Sequence, residues 1–263
     1  MLSRLTRPKA VAVCALPVVA LIATAAFAPL PFAVAQPGMT ANVLGKNQGT
    51  QVITVSGAPT RPTGGQLRMT TIEATGPDAQ VSLGDVFDSW FRTDRAVMPR
   101  DSVYPTGGNV EEIEKHNSEQ MRQSQDAATE AALKYLHLSA GKVKVKLSLA
   151  DVGGPSAGLL FTLGIIDKLD GDGSGGDLTG GRTIAGTGTI DASGKVGAVG
   201  GVSLKTRAAS RDGATVFLVP KAECADAKAE LPKGLRLVPV TTLKSAVDSL
   251  VTLEKGKGPV PSC

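Results

Sequence analysis

The sequence contains few of the residues on which metal-based and histidine-based chemistry depends. Its 263 residues include two histidines, three cysteines and few aromatics, namely six Phe, two Tyr and one Trp. A multi-ligand zinc site would need nearly all of the histidines and cysteines, at spacings that do not fit. A Ser-His-Asp hydrolase would have to use His116 or His137, both in a polar stretch that is predicted to be helical. We therefore expect no metal, no flavin or haem, and no other cofactor.

The chain also has little net charge once its N-terminus is set aside. Arg4, Arg7 and Lys9 lie within the first nine residues, which contain no acidic residue, and the rest holds 25 basic and 24 acidic residues. No basic stripe with interleaved aromatic residues is present, so we do not expect a nucleic acid as partner.

An uncharged apolar segment follows this basic N-terminus. Residues 10–35 contain no charged residue, which is enough for a helix that spans a membrane. The same features, with Ala33-Val34-Ala35 at the end, are typical of a cleavable signal peptide. We therefore expect residues 1–35 to be a signal peptide or a transmembrane anchor. Both interpretations place the remaining chain outside the cytoplasm, anchored to the cell membrane or secreted, and the positive-inside rule gives the same orientation.

Export would give the remaining cysteines a role. Cys14 lies in the leader, which leaves Cys224 and Cys263 as a pair. In an oxidising compartment a disulfide between them would tie the C-terminal tail to the domain. Two unpaired thiols are the alternative.

The rest of the chain divides into three parts by pattern. Residues 36–108 are predicted to form an extended N-terminal region with short strands, in which 36–66 is a tether and 84–92 a small apolar cluster. Residues 109–253 are predicted to form one domain of mixed strands and helices, either α+β or α/β. Residues 254–263 are the C-terminal tail. Helices are predicted at 109–138, 157–169, 202–211, 221–231 and 242–250, and strands at 51–55, 67–73, 143–149, 178–190, 215–219 and 235–240.

One motif points to nucleophilic chemistry. Ser156 lies in Gly-Gly-Pro-Ser-Ala-Gly, between a predicted strand and the start of a helix. Backbone N–H groups near Gly154–Ala157 would be available there to hold the oxyanion of an acyl transfer. Histidine is scarce, so lysine is the next candidate for the base that a serine needs. Lys205 lies in the first turn of a predicted helix, where the helix dipole and burial would lower its pKa. The residues by themselves also allow a capping serine and an exposed lysine.

Several blocks that occur in one order indicate a family. They are Gly154-Pro-Ser-Ala-Gly, Thr187-Gly-Thr-Ile-Asp, Gly194-Lys-Val, Gly200-Gly-(x)3-Lys205-(x)2-Ala-Ala and Gly213-Ala-Thr-Val-Phe-Leu-Val-Pro. Together they resemble the proteolytic domain of Lon proteases over roughly residues 110–252. By this resemblance Ser156 is the nucleophile, Lys205 is the base and Thr187 helps to orient the lysine. The resemblance also implies a small α/β fold related to the second domain of a ribosomal small-subunit protein, protein or peptide substrates, and hexameric rings.

Two modules that accompany the proteolytic domain in that family are not recognisable in this sequence. Lon proteases contain an ATPase, but no Gly-(x)4-Gly-Lys-Ser/Thr occurs here; the nearest run, at 188–196, has one residue too many and ends in valine. The chain looks like the exported Lon-like proteases of Gram-positive bacteria, yet the ten or so residues between Leu138 and Leu149 leave no room for their PDZ domain. Many Lon enzymes also have an acid three positions before the serine, where this chain has Gly153; Asp151 lies two positions further back.

Other motifs support weaker interpretations. Asp170–Asp177 resembles the start of a calcium loop, but Gly181 occupies the position of the bidentate glutamate. Ser139-Ala-Gly-Lys142 matches Ser-x-x-Lys without its companion motifs. The Gly-rich turn before Ser156 could also hold a phosphate, as in small-molecule kinases.

We therefore predict an extracytoplasmic serine endopeptidase that uses a Ser-Lys dyad without an ATPase module of its own. The alternative is a catalytically silent, membrane-tethered interaction protein with a Lon-like fold, because no module that delivers or unfolds substrate is recognisable.

Overall fold

The computed structural model describes residues 7–104, 109–149 and 154–263. The helices are α1 (Arg7–Phe27), α2 (Leu83–Trp90), α3 (Arg100–Val103), α4 (Val110–Tyr135), α5 (Gly158–Leu169), α6 (Val202–Arg211), α7 (Cys224–Ala229) and α8 (Leu243–Lys255), with a 3-10 turn at Lys221–Glu223. The strands are β1 (Phe32–Asn42), β2 (Lys46–Asn47), β3 (Thr50–Gln51), β4 (Ile53–Ser56), β5 (Gln66–Ala74), β6 (Ala96–Pro99), β7 (Lys144–Leu147), β8 (Thr183–Gly186), β9 (Thr189–Ile190), β10 (Val196–Gly197), β11 (Val216–Pro220) and β12 (Arg236–Val240).

The chain divides into two compact units. One consists of Met1–Ala35 with Ala74–Gly108, and the other of Gln36–Glu73 with Asn109–Cys263. The sequence pattern predicts a boundary between residues 36–108 and the domain that starts at 109, whereas the structure groups Gln36–Glu73 with that domain. The predicted tether at 36–66 instead contains strand residues at 36–42, 46–47, 50–51, 53–56 and 66, and its strands β1 and β4 pair with strands that are distant in sequence.

The first unit contains α1 and the start of β1. Phe32–Ala35 pairs antiparallel with β6, and the side chains of Ala33 and Ala35 are buried. The motif that the sequence analysis interpreted as a cleavage site therefore lies within a paired strand. Among the residues that the structure describes, no helix is both long enough and apolar enough to cross a membrane.

The aromatic residues of α2 point to solvent. Ser82 caps this helix through a reciprocal capping box with Asp85. Phe87, Trp90 and Phe91 are 59%, 77% and 82% exposed, respectively, while the buried residue of α2 is Ser89. The apolar residues predicted as a cluster at 84–92 therefore do not join a buried core: Val86 is half-buried, and the charged Asp85 and Asp88 are exposed as well.

The second unit is built on a sheet with the strand order β12-β11-β8-β5-β1. The pairs β12/β11, β11/β8 and β8/β5 are parallel. Residues alternate along β11: Val216 and Leu218 join the apolar core formed with α4, α5 and α8, while Phe217 and Val219 join a second core formed with α6 and α7. Both faces of the sheet are thus covered by helices, as is usual for parallel strands. The prediction of a mixed α and β fold is confirmed.

The C-terminal tail returns to the second core. The structure joins Cys224, the first residue of α7, to Cys263 by a disulfide bond. Arg236 on β12 donates a hydrogen bond to the carbonyl oxygen of Val260 at 3.2 Å. Both cysteines, together with Val199, pack against the core below α6 and α7. Cys14 is unpaired and exposed.

Candidate active site

The candidate nucleophile and the candidate base approach the same strand end from opposite faces of the sheet. Ser156 lies two residues before α5, which packs in the first core, and Lys205 lies in the first turn of α6, which packs in the second. Thr187 follows the carboxyl end of β8 directly. Ligand and catalytic sites commonly form where parallel strands end and their flanking helices begin.

Helix α4 holds the turn that precedes the serine. Gly154 has a φ of +84°, a conformation that glycine adopts without strain, and its N–H donates to the carbonyl oxygen of Asn117 at 3.1 Å. The hydroxyl of Ser124 donates to the carbonyl oxygen of Pro155 at 3.1 Å. Two consecutive residues before Ser156 are therefore anchored to one helix. Neither Asn117 nor Ser124 was singled out from the sequence, because nothing in a polar helix marks which residues face a distant turn.

The backbone of Ser156 is also fixed to the end of β8. Its carbonyl oxygen accepts the N–H of Gly188 at 3.0 Å and the hydroxyl of Thr187 at 3.3 Å. In return, the carbonyl oxygen of Gly188 accepts the N–H of Leu159 at 3.1 Å. These reciprocal bonds hold the serine turn and the start of α5 against the strand end.

Gly158 allows this close packing. A Cβ atom at this position would lie 2.9 Å from Oγ of Ser124 and 3.2 Å from the backbone nitrogen of Ile190. Helix α5 can therefore approach both α4 and β9 only with glycine as its first residue. Such tight contacts restrict the position of Ser156, which is half-buried.

Lys205 is a buried lysine, with 3% of its surface exposed. Its Nζ donates to Oγ1 of Thr187 at 3.2 Å, and Thr187 is itself fully buried. Burial lowers the pKa of the Lys205 amine to about 8, because desolvation disfavours the ammonium, while the nearby Glu223 carboxylate opposes this shift. A lysine with such a pKa is neutral in about a tenth of the molecules at pH 7, far more than an ordinary lysine, and can act as a general base.

Thr187 thus links the two candidate residues, receiving a hydrogen bond from Lys205 and donating one to the backbone of Ser156. Within the described part of the chain, the Ser156 hydroxyl has no hydrogen-bond partner, and no direct bond joins it to Lys205. Catalytic hydrogen bonds are often long in the absence of substrate and shorten when it binds. The structure therefore connects the Ser156 backbone and the Lys205 amine through Thr187, without a hydrogen bond between the Ser156 hydroxyl and that amine.

Two backbone donors remain for an oxyanion in the segment Gly154–Ala157. The N–H of Gly154 is already bonded to Asn117, and Pro155 has none. For the N–H groups of Ser156 and Ala157, the described ranges 7–104, 109–149 and 154–263 provide no acceptor. Asp151 and Gly153, about which the sequence raised a question, lie outside the described residues.

A pair of carboxylates supports the lysine helix, and neither was predicted. Oε1 of Glu223 accepts the N–H of Val199 at 3.0 Å, and Oδ2 of Asp226 accepts the N–H of Val202, the first residue of α6, at 3.2 Å. Helix α6 begins after Gly201, whose φ is +67°, and has no side-chain cap of its own. Asp226 therefore satisfies one of the unpaired N–H groups at a helix start from a separate segment.

The segment that resembled a calcium loop has its carboxylate engaged within the loop. Asp172 accepts the N–H groups of Ser174 at 2.8 Å and Gly176 at 2.7 Å, and its second oxygen lies 3.5 Å from Nζ of Lys255. In the described portion of the chain, no group of three or more His, Cys, Asp or Glu side chains is arranged to hold a metal ion.

Comparison with known proteins places this site in a family. Residues 106–253 match the Lon protease (S16) C-terminal proteolytic domain, a stretch that includes Ser156, Thr187 and Lys205. A Lon protease of Chloroflexus aggregans (strain MD-66 / DSM 9485) is 34% identical over 112 residues, which are 41% of this chain and 12% of that protein. Lon protease 1 of Myxococcus xanthus is 34% identical over 105 residues, 39% of this chain and 12% of that protein. The chain therefore spans a small part of the length of the curated relatives it matches.

Proposed function

Because this chain belongs to the family of the Lon protease (S16) C-terminal proteolytic domain, we propose that it is a serine endopeptidase with Ser156 as nucleophile and Lys205 as general base. The observation on which the proposal rests is the buried Lys205, which is bonded to Thr187, the residue that also bonds to the backbone of Ser156. A neutral amine that donates one hydrogen to Thr187 keeps its lone pair free for the serine proton. The substrates are proteins or peptides.

The proposed reaction proceeds through an acyl-enzyme. Neutral Lys205 takes the proton of the Ser156 hydroxyl as Oγ attacks the carbonyl carbon of a peptide bond. The N–H groups of Ser156 and Ala157 hold the resulting oxyanion. Lys205 then gives its proton to the leaving amine, the peptide bond breaks, and water hydrolyses the ester that remains on Ser156. This sequence of steps needs neither a metal nor an organic cofactor.

We also propose that the reaction takes place outside the cytoplasm. The basic N-terminus followed by the uncharged residues 10–35 supports export, and the pairing of Cys224 with Cys263 suits an oxidising compartment. N-terminal sequencing of the cell-associated and the released protein would distinguish a retained anchor from a cleaved leader. The family's rings suggest that the protein assembles with copies of itself, which sedimentation analysis would measure.

The decisive experiment measures cleavage of an unfolded protein such as casein by the full chain, with and without ATP. We expect ATP-independent cleavage that is lost in Ser156→Ala. Ser139→Ala, which alters an exposed serine away from the site, is the matched control and should retain activity. Full activity of Ser156→Ala in a clean preparation would refute the assignment of the nucleophile. A well-folded chain that cleaves nothing under either condition would instead favour a silent interaction protein.

A further inference from the structure

Glu223 bonds to the loop that leads into the helix of the candidate base, and the proposed mechanism does not use it. It ends the 3-10 turn that follows β11. Its Oε1 accepts the N–H of Val199, which lies in the connection between β10 and α6. Its Oε2 is buried and accepts no hydrogen bond from any described residue. A carboxylate oxygen that is buried without a donor is costly, so a charge that compensates for it is expected nearby.

The positive charge that acts on Glu223 is that of Lys205, although the two side chains form no ion pair within 4.0 Å in the described part of the chain. Glu223 and Lys205 act on each other electrostatically, while burial raises the pKa of the glutamic acid and lowers that of the lysine. The strands β8 and β11, against which α6 packs, contain no charged residue. Asp226 on α7 also acts on Glu223 and raises its pKa, besides accepting the N–H of Val202. The remaining charged side chains of α6, the 3-10 turn and α7 have other surroundings: Arg207 pairs with Glu230, Arg211 with Asp212, and Lys221 and Lys228 are exposed.

We propose that Glu223 is a positioning residue of the catalytic centre, with two effects. Its bond to Val199 holds the loop that leads into α6, and its charge sets the fraction of Lys205 that is neutral. This proposal rests on the proposed function, in which neutral Lys205 is the base. The centre would then be a Ser-Lys pair adjusted by a third, carboxylate-bearing residue that is 18 positions from Lys205 in sequence.

The sign of the expected effect follows from the charge. A negative Glu223 favours the protonated form of Lys205, so its removal should lower the pKa of the lysine further. Loss of an opposite charge that acts on a buried group is expected to shift the pKa of that group by about one unit. A reaction that needs the neutral amine should then reach half of its maximal rate at a pH about one unit lower than in the wild type.

The test compares three variants of the full-length protein. Glu223→Gln keeps an oxygen acceptor for Val199 but removes the charge, and Glu223→Asp keeps the charge on a shorter side chain. Glu230→Gln removes a negative charge from the end of the same segment, where it faces Arg207, and is the matched control. Circular dichroism and thermal unfolding establish that each variant is folded.

Two readouts are used. The titration of Lys205 is followed by NMR of lysine labelled with carbon-13, in a Ser156→Ala background to prevent self-cleavage, with the signal assigned by Lys205→Met. The pH dependence of kcat/KM for a peptide substrate is measured with Ser156 intact. We expect Glu223→Gln to lower both midpoints by about one pH unit, whereas Glu223→Asp and Glu230→Gln leave them at the wild-type value.

The two readouts separate the failure of this proposal from the failure of the proposed function. Equal Lys205 midpoints in Glu223→Gln and the wild type would overturn the role of Glu223, whatever the activity. A shifted NMR midpoint with a pH–rate profile that does not follow it would support the coupling but refute Lys205 as the base. A wild-type chain without activity still reports the Lys205 midpoint by NMR. If Glu223→Gln did not fold, a midpoint in Glu223→Asp below the wild-type value would count against the proposal.

Discussion

The two faces of the parallel sheet hold their catalytic candidates by different means. On the serine face, ten of the twelve residues of α5 are buried, and the helix has no side-chain cap. On the lysine face, α6 buries six of its ten residues, and carboxylates of the Glu223–Asp226 segment bond to the backbone at and before its start. A nucleophile needs a fixed backbone, which apolar packing provides, whereas a base needs a particular pKa, which burial and charged neighbours set together.

The largest expected effect comes from removing the amine on the lysine face. Lys205→Met should reduce kcat/KM by about 10²–10⁴-fold, the usual contribution of a general base. Its melting temperature should also fall, because methionine fills a similar volume but leaves the buried Glu223 carboxylate without the positive charge that acts on it. Steady-state kinetics and thermal unfolding measure the two effects. Lys195→Met, at an exposed lysine, is the control and should keep the wild-type kcat/KM. A wild-type kcat/KM in Lys205→Met would show that Lys205 is not the general base.

The next largest effect is expected from removing the disulfide, whose two cysteines pack against the core on the lysine face. It closes a loop of 39 positions between Cys224 and Cys263. Replacing both cysteines by serine should lower the free energy of unfolding by roughly 2–4 kcal/mol, because the unfolded chain gains conformational freedom. Urea unfolding of the double variant, beside the oxidised and reduced wild type, measures this. The double variant and the reduced wild type should have the same free energy of unfolding. Equal stability of the oxidised and the reduced wild type would show that the disulfide does not stabilise the fold.

A smaller effect is expected from overpacking the serine face. Gly158→Ala places a Cβ atom against Ser124 and Ile190, and should cost about 1–3 kcal/mol of stability. Cleavage should fall as well, since the turn that contains Ser156 shifts with α5. Urea unfolding and kcat measure both. Gly76→Ala, where a Cβ atom meets nothing within 4 Å, should change neither quantity. If Gly158→Ala unfolded with the wild-type free energy, the packing around α5 would have room for the added methyl group.

The smallest effect tests the polar support of the lysine face. Asp226→Ala leaves the first N–H of α6 without its acceptor and should cost about 0.5–2 kcal/mol, the range of a lost helix cap. Asp226→Asn retains an acceptor oxygen and should recover most of this loss. Thermal unfolding of the two variants gives the comparison. Equal destabilisation by both would mean that the charge at the helix start, rather than the hydrogen bond, stabilises α6.

Local elements were largely predictable from pattern. The amphipathic run at 202–211 predicts α6 with the bounds that the structure has, and the apolar run at 157–169 predicts α5 to within one residue. The helix predicted at 221–231 is instead a 3-10 turn followed by the short α7, which ends before Pro232. The membership of Gln36–Glu73 in the larger unit was not predictable, since strand pairing such as that of β5 with β8 joins residues more than a hundred positions apart.

The sequence by itself determined which chemical groups are available and on which elements they lie. A serine before a buried helix, a lysine in the first turn of another and the scarcity of histidine already limited the chemistry. Only the tertiary structure decided that Thr187 lies between them, that Lys205 is buried and that the Glu223 charge acts on it. The physical reason is that hydrophobic periodicity is local, whereas the desolvation and the charges that set a pKa come from segments that folding brings together.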